Sequence, residues 1–278
     1  MRKFIYAGTA VALLAVAIVS CKKSTNSSVN SSLVSDDEKA LVASAGFNEN
    51  WVEKTTDGNF LVEGDILLTN AQLKEMAGAT PTNNFIVGDE EHYRTYNLVS
   101  FPGTGARTIT ISLGSGFPTN YSTALDHVIT RYNGYNLKIN FQRVASGGNI
   151  AISAANLGTS GGGCILGRAA GFPSGGNPSA GFTLSTSSCA TTYLNTVDEV
   201  DEVMAHEIGH CIGFRHTDYK RRNSCGPGAG ESAGSIGAVW IPGTPTNVSG
   251  SYNSWMMACI NGSPVFNGDD VIALNYVY

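Results

Sequence analysis

His206-Glu207-Ile208-Gly209-His210-Cys211-Ile212-Gly213-Phe214-Arg215-His216 sets three imidazoles, one carboxylate and one glycine at fixed intervals. On a helix, residues four apart share a face, so His206 and His210 can turn a ring nitrogen toward a single ion. Glu207, one residue round from His206, falls beside the open side of that ion, where it can hold a water and take its proton. Gly213 has no Cβ and lets the chain leave the helix through a left-handed turn, which returns His216 as a third ligand. Three protein ligands leave one position for water. That is the pattern of a catalytic Zn2+ rather than a structural one.

The surroundings supply the helix this spacing needs. Thr196-Val197-Asp198-Glu199 reads as a capping box. Val200, Val203, Met204, Ile208 and Cys211 then recur near helical period. Together they predict a helix over about 196–212 that carries the first two histidines.

This motif resembles that of the metzincin zinc endopeptidases, which also bear a methionine turn beneath the metal. Ser254-Trp255-Met256 looks like that turn, and the serine two residues earlier favours Met256 over the adjacent Met257. The match to the bacterial HEIGH-type metallopeptidases is closer. His206 to His210 spell that name, and His216-Thr217-Asp218, Ile241-Pro242-Gly243-Thr244-Pro245 and Ala273-Leu274-Asn275-Tyr276 also look like that family. The resemblance implies an α+β, metzincin-like zincin fold: a twisted mixed sheet with an edge strand for substrate, a long zinc helix, a methionine turn and a C-terminal helix. It further implies hydrolysis of polypeptides, with His206, His210 and His216 on zinc, Glu207 as the base, Gly213 at the turn and Met256 under the metal. Astacin- and serralysin-like metzincins place a tyrosine two residues after the methionine. Here that position is Ala258, so no tyrosine ligand is expected. A structural calcium does not follow from the sequence.

Arg2 and Lys3 precede an apolar run from Ala10 to Val19, and then Cys21. A basic start and an apolar stretch of this length make a signal peptide rather than a membrane-spanning helix. Ile18-Val19-Ser20-Cys21 looks like a bacterial lipobox, which makes Cys21 the lipidated first residue of the mature chain. Residues 22–35, rich in Ser, Asn and Lys, read as a tether. The domain reading is therefore a lipoprotein signal peptide at 1–20, a tether at 21–35, a propeptide-like segment at 36–100 and a catalytic domain at 101–278. A lipid-anchored enzyme of the bacterial cell envelope follows, facing either the periplasm or the exterior.

Within the propeptide-like segment, Glu63-Gly64-Asp65-Ile66 is similar to the astacin prosegment motif, whose aspartate blocks the zinc until it is cut away. Asp65 is the candidate latch, since a carboxylate is a good zinc ligand. No cysteine lies between Lys22 and Phe101, which excludes a cysteine switch in that stretch. Five cysteines remain beyond Cys21, so at least one intrachain thiol stays free. Cys164 and Cys189 flank one glycine-rich loop and are the first candidate pair. Which two of Cys211, Cys225 and Cys259 join is left open.

Elsewhere the chain alternates strands and helices. Short helices are predicted from Asp36 and over Thr69–Met76, strands over 60–68, 108–112, 137–144 and 149–154, and helices over Tyr121–Tyr135 and Asp269–Tyr276. Cys164 to Pro173 resembles the strand that matrixin-like enzymes offer to substrate. An edge strand binds extended peptide by strand addition, which makes a polypeptide the natural substrate class. His92 and His127 receive no role.

Thirty-three glycines in 278 residues point to a loop-rich domain containing strands. Loss of residues 1–20 takes the 17 basic residues to 15 against 22 acidic ones, a net charge of −7. No basic cluster with interleaved aromatics is present, which excludes nucleic acid as a partner. Gly161-Gly162-Gly163 lacks the lysine and the strand–helix context of a phosphate loop, which excludes nucleotide. Two rival functions use the same residues. One is a zinc amidase acting on cell-wall peptides. The other is a non-catalytic surface protein that keeps the metal, a reading that leaves Glu207 without a purpose.

Overall fold

The computed structural model describes residues 33–78, 92–160, 162–226, 230–246, 252–260, 262 and 265–278. The expected signal peptide, the candidate lipidation residue Cys21 and most of the expected tether lie outside the described residues. No helix among the described residues is long and apolar enough to cross a membrane.

The N-terminal part holds α1 (Asp36–Ala45), β1 (Val52–Lys54), β2 (Phe60–Val62), β3 (Ile66–Leu68) and α2 (Asn70–Gly78). After it come β4 (Tyr93–Arg94), β5 (Arg107–Leu113), α3 (Thr119–Asn133), β6 (Ile139–Val144) and β7 (Ile150–Ala155). The short β8 (Thr159–Ser160) and β9 (Gly163–Cys164) lead to β10 (Gly167–Ala169), β11 (Gly181–Ser185) and α4 (Ala190–Tyr193). The chain ends with α5 (Val197–Ile212), β12 (Val239–Trp240) and α6 (Gly268–Val277).

One mixed sheet runs in the order β1-β2-β3-β10-β11-β7-β5-β6. Alternation sets its face: in β5, Ile109 and Ile111 are buried while Thr108 is exposed. On α3, Tyr121, Ala124, Leu125, Val128 and Tyr132 recur three or four apart and are all buried, so this stripe packs inward. α5 is buried along its whole length from Val200 to Ile212, which makes it the central helix. Its residues share one apolar core with α3, α6 and the strands β5, β6, β7 and β11. The architecture is a mixed α+β fold.

β10 is not a free edge. Within the expected substrate strand, ladder pairing contracts to Gly167–Ala169, hemmed by the Cys164 disulfide on one side and by Gly171, at φ +117, and Pro173 on the other. β3 lies parallel beside it through the Ala169–Ile66 pair. The segment bearing β3 has an apolar centre of its own, formed by Val42, Phe47, Phe60, Val62, Ile66, Leu68 and Leu73, completed by Phe172 and Ile236 from the rest of the chain.

Residues 92–95, which the sequence groups with the propeptide-like segment, bond to the turn of the zinc motif. The His92 amide donates to the Thr217 carbonyl at 3.2 Å, Thr95 to Gly213 at 2.8 Å, and Arg215 to Tyr93 at 2.9 Å. β4 pairs with β12 in a separate two-stranded sheet. Cys164 is bonded to Cys189 and Cys225 to Cys259, while Cys211 is free and buried. Burial pushes the Cys211 thiol up, so it stays protonated and inert.

Candidate metal centre

α5 starts at a complete capping box. Thr196 accepts from the Glu199 amide, and the Glu199 carboxylate accepts from Thr196 in return. It ends at Gly213, with φ +108, a left-handed value that a side chain would strain. A Cβ at Gly213 would also meet Leu98 Cδ2 at 2.8 Å and Thr95 Oγ1 at 3.0 Å. The turn therefore needs glycine on two counts, and it delivers His216 to the same place as His206 and His210.

Hydrogen bonds fix the rings. His206 Nδ1 donates to the Trp255 carbonyl and His210 Nδ1 to the Phe214 carbonyl, each at 2.9 Å. Since a carbonyl only accepts, both Nδ1 atoms carry the proton and both Nε2 atoms present lone pairs. Those two Nε2 atoms lie 3.1 Å apart, so their lone pairs need a cation between them. His216 Nδ1 bonds the Glu231 carboxylate. Its Nε2 faces Asp65 Oδ2 at 2.7 Å, and the same oxygen is 3.5 Å from His206 Nε2 and 3.6 Å from His210 Nε2.

These four atoms fit a tetrahedral ion. Zinc–imidazole bonds of about 2.0–2.1 Å set neighbouring ligand atoms about 3.3–3.4 Å apart. The distances here bracket that value, and all four ligand atoms fall within 4.8 Å of one another. Charge agrees with geometry. Burial works against a charge on His216, yet Asp65 and Glu231 on either side outweigh it and push its pKa up to about 10. Burial likewise lifts Asp65, but the histidines more than offset it and hold the carboxylate well below its ordinary range. At His210 burial wins and pushes the pKa down to about 4, which keeps that ring neutral, as a metal ligand must be.

Glu207 lies beside this cluster, buried, with its Oε2 without a hydrogen-bond partner. Burial, and then the Asp65 charge, push its carboxyl well above the ordinary range. A Cβ on Gly167 of β10 would sit 2.2 Å from Glu207 Oε1. Met256 packs under the helix, where a Cβ on Gly209 would come within 2.3 Å of its Sδ. Ser254 steadies this turn by donating to Asp270 Oδ1 at 2.6 Å, and Ala258, at the tyrosine position, donates its amide to Asp218.

The structure thus brings together His206, His210, His216, Glu207, Gly213, Met256 and Asp65. Cys164 of β9 is bonded to Cys189 at the start of α4, and Cys21 lies outside the described residues. Four residues to which the sequence gives no role also reach the site: Glu63, Arg215, Arg222 and Glu231. Arg215 and Glu63 pair at 2.9 Å, and Arg222 holds Glu231 at 2.6 Å. Arg215 stands inside the motif at a position free to vary, and Gly230-Glu231-Ser232 has no periodicity. Only their partners in the folded chain reveal them.

Two solved structures of myroilysin are similar to the chain. One is 18% identical over 41% of this chain and 50% of that one, with a TM-score of 0.29. The other is 17% identical over 69% of this chain and 93% of that one, with a TM-score of 0.34. High choriolytic enzyme 1, a hatching enzyme zinc-protease from the medaka fish Oryzias latipes, is 17% identical over 45% and 52%, with a TM-score of 0.27. The chain spans about half the length of the first myroilysin structure and of the hatching enzyme. No match is found among the curated proteins. A family model described as a dual-action HEIGH metallo-peptidase matches residues 60–278. That match takes in the hairpin with Asp65 as well as the three histidines, and extends over well more than half of the sequence: the chain belongs to the HEIGH metallopeptidase family.

Proposed function

We propose that this chain is a zinc endopeptidase of the bacterial cell envelope, exported, lipid-anchored through Cys21, made as a latent precursor and acting on polypeptides. The observation that carries this reading is the convergence of three histidine Nε2 atoms on one point with Glu207 alongside. His206, His210 and His216 would hold a zinc ion, which would supply the Lewis acidity that this hydrolysis needs. Trp255, Phe214 and Glu231 hold the three rings in the tautomer and orientation that ligation needs. Glu207 takes the proton of the attacking water on its unpartnered Oε2 and hands it to the leaving amine.

Latency follows from the Asp65 carboxylate, which sits against all three histidines where substrate and water must enter. β3 also occupies the side of β10 that an extended peptide would pair with. The prosegment ends ahead of His92 in this reading, because residues 92–95 supply backbone partners to the zinc-motif turn.

A digest of unfolded protein read by mass spectrometry tests the activity. Glu207→Ala is expected to keep its zinc and to lose cleavage by about 10²–10⁴-fold. Undiminished cleavage by that variant ends the assignment, and cleavage of wall fragments alone would make the enzyme an amidase. In the uncut precursor, Asp65→Ala is expected to switch cleavage on. A variant as silent as its parent would remove Asp65 as the latch.

A further inference from the structure

A buried acid–base cluster beside His216 is shared between two parts of the chain. Arg215 Nη2 lies 2.9 Å from both carboxyl oxygens of Glu63 and 3.3 Å from Glu231 Oε2. Its Nη1 donates to the carbonyls of Ser232 and Gly237. The guanidinium is walled by Tyr219 at 4.7 Å, Phe47 at 5.7 Å and Phe172 at 5.8 Å. Arg222 donates to Glu231 and lies 4.6 Å from the Trp51 ring. Phe47, Trp51 and Glu63 belong to the N-terminal segment; Arg215, Arg222, Glu231, Phe172 and Tyr219 belong to the body that carries the histidines.

Loss of the N-terminal segment leaves two guanidiniums facing one carboxylate, and that carboxylate already bonds His216 Nδ1. The Nε atoms of both arginines are buried without a partner even with Glu63 in place. A surplus cation in a desolvated setting is costly, and a carboxylate is the group that balances it.

The seat of Glu63 also lies along the path of a peptide. Glu63 and Asp65 form the tip of the β2–β3 hairpin, with Asp65 at the histidines and its carbonyl on the Ala169 amide of β10 at 2.7 Å. Glu63 has φ +55, a left-handed value rare outside glycine, and in that conformation its carboxyl meets Arg215. Two residues of extended chain span about 7 Å, so this seat is within a few residues of the metal centre.

We propose that, once the prosegment has gone, Arg215 and Arg222 form a subsite for a glutamate side chain of the polypeptide substrate, one to three residues from the cleaved bond. The inference rests on the peptidase reading above. Glu63 occupies in the precursor the place that a substrate glutamate takes in the mature enzyme.

The full chain, converted by limited proteolysis, is given C-terminally amidated peptides in which one glutamate is walked through three positions on each side of the cleaved bond, each beside its glutamine twin. At one position glutamate is expected to raise kcat/KM about tenfold or more, the effect of one buried charge-assisted contact, with the change falling on KM. Titrated by fluorescence anisotropy onto the converted Glu207→Ala chain, the same twins are expected to show a matching ratio in Kd. Arg222→Gln is expected to shrink both ratios. Arg215 is fully buried and its replacement endangers the fold, so the twins and Arg222→Gln decide the matter. Equal handling of the twins at every position overturns the subsite, as does a preference confined to peptides with a free C-terminal carboxylate. Cleavage of no peptide at all would instead remove the peptidase reading, and this inference with it.

Discussion

Glu207 and Gly167 meet across the gap between α5 and β10, and the fit leaves no room for a methyl group. A Cβ at Gly167 would press on Glu207 Oε1 and Cγ, the movable end of a flexible side chain, so Gly167→Ala is expected to fold while turning the carboxylate aside. Misplacing a base by about 1 Å costs about 10²-fold. kcat of the mature enzyme should therefore fall by roughly that factor with metal content unchanged, as checked by steady-state kinetics beside atomic absorption. An unaltered kcat would mean that Glu207 has another place to stand. Local pattern makes the ligands and Glu207 legible, because four residues of helix and one left-handed glycine dictate where His206, His210 and His216 can meet. Gly167, Glu231 and Arg215 have no such pattern. Each is defined by a partner in another element, and a glycine needed for a neighbour's bulk looks like any other glycine in a chain that has 33.

At the level of elements, capping chemistry does most of the predicting. α5 begins and ends where Thr196-Val197-Asp198-Glu199 and Gly213 say it should, and α6 starts just after Asn267, its N-cap, in a capping box closed by Asp270. Thr196→Ala removes the acceptor for the Glu199 amide and is expected to lower stability by about 1 kcal/mol, read as a lower urea midpoint. No change would mean that packing alone sets the start of this helix. Short strands are a different matter. Ile66-Leu67-Leu68 reads as a strand, but three residues cannot specify a neighbour. Its place beside β10 comes from the apolar centre beneath it and from the Asp65 contacts.

For the molecule as a whole, the join between its N-terminal segment and its body is the part least open to inspection of the sequence. Tyr93 pairs with Trp240, and Thr95 bonds Gly213, more than a hundred positions away, and no local pattern in the sequence marks those ties. His92 enters this weave buried, and burial pushes its pKa down to about 4 from 6.5. Between those values the unfolded chain binds a proton that the folded one does not, so this group's stabilisation is complete above pH 6.5 and is lost as pH falls toward 4. The full shift is worth at most about 3 kcal/mol. Asp270, pushed up to about 7 by burial, contributes the opposite slope. The difference between the parent and His92→Gln is therefore the quantity to read. Urea titrations at pH 4.5, 5.5 and 7 should show the parent losing more stability than the variant on acidification. Parallel curves would show that His92 does not titrate with folding.

The hairpin laid along β10 bears on keeping as well as on restraint. A strand with open amides and carbonyls invites sister molecules to stack on it, and a protease that stacks also presents itself as a meal. On the proposed reading, β3 covers that flank of β10 in the precursor and shields it from both fates with one and the same stretch. Removal of the proposed prosegment would strip away both protections at once.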